Sequence, residues 1–74
     1  MHKGNTYMEE YILVCHYADG CYFSLRRTSA LDIQEEVNKA RKESASHGGI
    51  DRMSCDYYVD GRYIRCTHYK GAKA

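Results

Sequence analysis

Four cysteines and four histidines in 74 residues are the side chains with the widest chemistry in this chain. Cys55, Cys66 and His68 fall at spacings that place them on one face of a two-stranded segment, and Cys15 or Cys21 could complete a tetrahedral zinc set from an earlier one. No Cys-x-x-Cys pair occurs. Free cysteine is among the most buried residue types, so the expectation is reduced thiols in or near a core, with no metal and no other cofactor. A Cys55–Cys66 cross-link would join directly opposed strand residues, a constrained geometry for a disulfide. Cys15 and His16 are neighbours, so on a strand they point to opposite faces and cannot serve as nucleophile and base. His16 is expected to pack beside Phe23. His47-Gly48-Gly49 closes a helical pattern and follows no strand, which makes it a helix end and not a phosphate loop. The acidic residues are spread over turns and a helix surface, so no catalytic residues are assigned and an enzyme is not expected.

Tyrosine is the more telling residue type, with eight in the chain. Tyr17-Ala18-Asp19-Gly20-Cys21-Tyr22 returns as Tyr58-Val59-Asp60-Gly61-Arg62-Tyr63. Each copy reads as a β-hairpin, because Asp-Gly supplies the two positive-φ residues of a tight type I′ turn. Counting outward by twos from two-residue turns puts Tyr11, Tyr17, Tyr22, Tyr58, Tyr63 and Tyr69 on one face, together with Arg26, Asp56, Arg65, Ser24 and Thr67. Tyr and Arg bury much area with a polar tip and are enriched at interface hot spots, so this face is the candidate binding surface. Aromatic residues also favour strands for their own sake, since cross-strand pairs contribute roughly 0.2–1 kcal/mol each.

Those residues need four strands to carry them. The first runs from about Tyr7 or Glu10 to Ala18 and the second from Cys21 to about Arg27. Two-residue turns give Ile12, Val14, His16 and Ala18 a common core face with Cys21, Phe23 and Leu25. A three-residue loop with a bulge at Gly20 would slide this register by one and turn Leu13 and Cys15 inward instead. From Thr28 or Ser29 to His47 the pattern is helical. Ser29 and Asp32 are capping candidates, Ile33, Val37 and Ala40 form a narrow apolar stripe extended by Leu31 or Ala30 and by Ser44, and Gly48-Gly49 forms a left-handed stop. The third and fourth strands run from about Ile50 to Val59 and from Arg62 to about Tyr69. There Val59 should face Arg62, Tyr57 face Ile64 and Cys55 face Cys66 on the core side, with Asp56 opposite Arg65 on the other. The fold class expected is α+β, ββαββ: a four-stranded antiparallel sheet of two hairpins with one helix packed on one face.

Composition bounds the rest. The length makes one small domain over residues 1–74, with disordered ends at about 1–6 and 70–74, and a single core of this size supplies only about 3–5 kcal/mol. The net charge of +1 excludes an acidic DNA mimic and lacks the basic surplus of a non-specific DNA binder. The opening residues lack the apolar stretch of a secretory signal, and no run approaches the ~20 apolar residues of a membrane span, so a cytoplasmic protein with no membrane partner is expected. In general profile the chain is similar to small phage and mobile-element inhibitors of bacterial defence, anti-CRISPR proteins among them, although no motif carries that likeness. The expected function is a non-enzymatic inhibitor or regulator that occludes a larger protein or ribonucleoprotein. The second reading is a single-stranded nucleic-acid module that stacks bases on the Tyr/Arg face. Self-association into a homodimer through that face is the rival use of the same tyrosines.

Overall fold

The computed structural model describes residues 7–70; the ends expected to be disordered lie outside the described residues except for Lys70. The elements are β1 (Glu9–Tyr17), β2 (Tyr22–Arg27), α1 (Ala30–Glu43), a short 3-10 turn (Ser44–His47), β3 (Ile50–Val59) and β4 (Arg62–Tyr69). All strand pairs are antiparallel and the spatial order is β2-β1-β3-β4. This is the expected ββαββ architecture, with β1 and β3 at the centre and the helix on one face.

The helix forms where capping and periodicity agree. Ser29 is extended, and its hydroxyl accepts a hydrogen bond from Asp32 N at 3.1 Å, satisfying one of the orphan donors of the first turn. Asp32 stands in the first turn and Arg41 and Lys42 in the last, matching the helix dipole. Gly48 ends the 3-10 turn at φ 79°, where a residue without Cβ is favoured, and its N–H reaches back to Ala45 and Ser44 carbonyls. Ile33, Val37, Ala40 and Ser44 are buried in the stripe, whereas Leu31 and Ala30 are exposed and do not extend it.

The first hairpin departs from the two-residue turn. Tyr17 N donates to Cys21 O at 2.8 Å around a three-residue loop of Ala18, Asp19 and Gly20, with Gly20 at φ 94°. The register therefore pairs Leu13 with Leu25, Cys15 with Phe23 and His16 with Tyr22. Leu13, Cys15 and Tyr17 face the helix, and Ile12, Val14 and His16 face away; Tyr17 does not oppose Tyr22, and Cys21 is exposed at the loop. The loop has local support: Asp19 keeps a negative φ and its Oδ1 accepts from Cys21 N at 2.9 Å, so the extra residue is held by a side-chain bond. In the inward register Leu13 and Cys15 are fully buried. Removing a leucine of this kind from water contributes about 1.5–3 kcal/mol, a large share for a domain this small.

The second hairpin has the expected turn, with Asp60 at φ 51° and Gly61 at φ 81°, and Val59 pairs with Arg62 and Tyr58 with Tyr63. One pair further on the register shifts. Ile64 is the extra residue of a bulge, after which Tyr57 pairs with Arg65, Asp56 with Cys66, Cys55 with Thr67 and Met53 with Tyr69. Arg65, Thr67 and Tyr69 thereby move to the helix side, and Cys66 and His68 to the opposite side. The exchange lets Tyr69 pack against the core and places the Arg65 guanidinium 4.6 Å above the Tyr57 ring.

Candidate functional site

With one helix on one face, the other face of the sheet is open among the described residues. It carries Tyr22, Ser24 and Arg26 from β2, Glu10, Ile12, Val14 and His16 from β1, Arg52, Ser54, Asp56 and Tyr58 from β3, and Tyr63, Cys66 and His68 from β4. Of the eleven residues expected to share that face, Tyr22, Ser24, Arg26, Asp56, Tyr58 and Tyr63 lie here. Tyr11, Tyr17, Arg65, Thr67 and Tyr69 do not; they point to the helix side for the two register reasons above.

The aromatic groups of the open face are at its edges and partly occupied with one another. Tyr22 is 70% exposed and stacks on His16 at 5.5 Å, and Tyr63 is 57% exposed and meets Tyr58 edge-on at 5.7 Å. Between them Val14, His16, Arg52, Ser54 and His68 line a shallow cleft of about 310 Å³. One guanidinium, two imidazoles and a hydroxyl around an apolar side chain make a cleft fitted to an anionic group, because each polar member can donate a hydrogen bond and Arg can do so with two N–H groups. Arg26 is paired with Glu10 at 3.6 Å, whereas Arg52 has no ion-pair partner among the described residues. Asp56 is the counterweight on this face, lying beside Cys66.

Arg52, His16 and His68 were not among the expected site residues. His16 was assigned to the core beside Phe23, and the observed register turns it outward. The alternation of Arg52, Ser54, Asp56 and Tyr58 was visible in the sequence. What was not visible was that β3 pairs with β1 and brings Arg52 opposite His16.

On the helix side the displaced tyrosines serve packing. Tyr17 is 6% exposed within the core, and Tyr11 stacks on Tyr57 at 4.8 Å. Tyr57 donates its hydroxyl to Glu9 at 2.6 Å, and that bond, followed by desolvation, pushes its phenol up to about 12. The thiols are similarly held neutral. Burial pushes the Cys15 and Cys55 thiols up, and desolvation together with Asp56 does the same to Cys66. Cys66 Sγ lies 3.8 Å from His68 Nε2, yet its raised pKa opposes the thiolate that nucleophilic chemistry requires. The zinc set weighed in the sequence is divided by the sheet, with Cys15 and Cys55 on one face and Cys66 and His68 on the other.

No family model, curated protein or solved structure matches this chain. Among the described residues no helix is long and apolar enough to cross a membrane.

Proposed function

We propose that this chain is a non-enzymatic binding protein that uses the open sheet face to occlude a larger protein, in the manner of a small inhibitor or regulator. The partner presents an acidic side chain or loop to the cleft of His16, Arg52 and His68, with Tyr22, Tyr58 and Tyr63 closing over its apolar surroundings. The observation that carries this reading is Arg52, without an ion-pair partner among the described residues, beside two imidazoles on a face that no other described residue covers. Arg52 is exposed in the free chain, and an Arg that a partner desolvates in a polar cleft near aromatics is the kind of anchor on which interface energy concentrates. Asp56 and the ring-to-ring pairing of Tyr58 with Tyr63 disfavour a strand of bases stacked along the sheet, and an overall charge near neutrality gives no electrostatic funnel for one.

Affinity capture with the wild-type chain beside the Arg52→Ala/Tyr63→Ala double variant tests the reading. A protein retained by the wild type and by Arg65→Ala, but lost with the double variant, is the expected result, with each single change costing about 2 kcal/mol or more in affinity. Retention by the double variant with its fold intact overturns the open face as the site. Polarisation with labelled single-stranded DNA and RNA completes the test: tight binding with a steep salt dependence would make nucleic acid the partner instead. Light scattering that finds a tight dimer would assign the face to self-association.

A further inference from the structure

The loop of the first hairpin and the end of the helical segment meet at one end of the sheet, where Ala18 N donates to Gly49 O. There Asp19, Cys21 and His47 each turn a ligand atom toward the others, and the three atoms lie within 4.8 Å of one another. We propose that Asp19, Cys21 and His47 form a binding site for a divalent ion of the zinc class, with one carboxylate, one thiolate and one imidazole as ligands and the remaining coordination open to water.

The donor set is mixed in the way that borderline ions favour. A carboxylate oxygen and an imidazole nitrogen suit many divalent ions, but a thiolate beside them selects zinc or cobalt over calcium or magnesium. The positions are close to those needed. Ligand bonds of about 2.0–2.3 Å place tetrahedral ligand atoms somewhat more than 3 Å apart, so side-chain rotation of about an ångström closes the observed triangle onto a metal.

Two of the three ligands are held before any ion arrives. His47 stacks on the buried Tyr17 ring at 4.2 Å with planes 15° apart, and its Nδ1 meets Asp19 Oδ2 at 2.8 Å, a hydrogen bond that the ion would replace as it binds both groups. Asp19 is fixed through its other oxygen, which accepts from Cys21 N. Only the Cys21 side chain, exposed at the loop, remains to be ordered. Ala18 N also donates to Gly49 O at 2.9 Å, so the hairpin loop and the segment after the helix are already joined by backbone. A metal would therefore bind a nearly formed site and tie the loop of the first hairpin to the helix end, stabilising the native state by linkage.

The test is a cobalt titration of the reduced, metal-stripped full chain, followed by competition with zinc. The expected result is a thiolate-to-cobalt charge-transfer band that saturates at one ion per chain and is removed by zinc. Cys21→Ser should abolish the band, and Asp19→Asn and His47→Gln should each weaken zinc at least tenfold, with the circular dichroism of all three unchanged. Cys66→Ser should leave binding as in the wild type. Absence of the band in the wild type overturns the site. So does a band that persists in Cys21→Ser, or zinc affinity that is indifferent to both Asp19→Asn and His47→Gln.

Discussion

The two hairpins share a Tyr-x-Asp-Gly-x-Tyr sequence and close differently. In the second, Asp60 and Gly61 both take left-handed backbone and make a two-residue turn that sets Tyr58 against Tyr63. In the first, Asp19 keeps a negative φ, bonds Cys21 N through its side chain and leaves only Gly20 left-handed, so the loop grows by one residue. Because the side-chain period of a strand is two, that single residue exchanges the faces. Tyr17 becomes core, while Tyr58 and Tyr63 stay on the open side. The same Tyr-x-Asp-Gly-x-Tyr pattern thus gives a structural tyrosine in one hairpin and an exposed pair in the other, and the outcome is decided by what the burial of Leu13 and Cys15 favours.

The largest expected effect tests that burial. Leu13→Ala should cost about 2–5 kcal/mol, which is most of the stability of a domain this size, whereas Ile12→Ala on the open face should cost much less. Urea unfolding of both variants checks it. Equal losses, or a larger loss at Ile12, would break the distinction between the two faces of β1.

A smaller effect sharpens the second hairpin. The bulge at Ile64 lets Arg65 cover the Tyr57 ring, and Tyr57 is bonded to Glu9. A phenol raised from 10.0 to about 12 favours its neutral form in the fold. Its stabilisation is fully present below the unfolded value and is lost as pH climbs from 10 toward 12. In an ultraviolet titration Glu9→Gln should therefore lower the latest tyrosine step, and Tyr57→Phe should delete it. A titration unchanged by both substitutions would contradict the Tyr57–Glu9 bond.

Much of the architecture was legible in the chain because several local signals agreed. The helix had a cap at Ser29, a stripe through Ile33, Val37 and Ala40, and a glycine stop. The second turn had Asp60-Gly61 between alternating strands. The faces were harder to read. At Asp19-Gly20 two loop lengths satisfied the same residues, and the choice depended on packing against a helix many positions away. At Ile64 nothing local marks a bulge, since isoleucine suits a regular strand equally well. The cleft was hidden for a related reason: Arg52, His16 and His68 come from three strands, and they meet only once the order β2-β1-β3-β4 is known.

The division of the faces can be measured without any partner, because each hairpin carries cysteines that the competing registers bury differently. Cys21 is exposed and Cys66 partly so, while Cys15 and Cys55 are 0% and 4% exposed. Two-residue turns with no bulge would instead bury Cys21 and Cys66 with Cys55 and turn Cys15 outward. Native-state labelling with a thiol reagent, read by mass spectrometry of the digested protein, separates the two. The expected order is Cys21 first and Cys66 second, with Cys15 and Cys55 protected until denaturant is added. Early labelling of Cys15 with Cys21 protected would contradict the account.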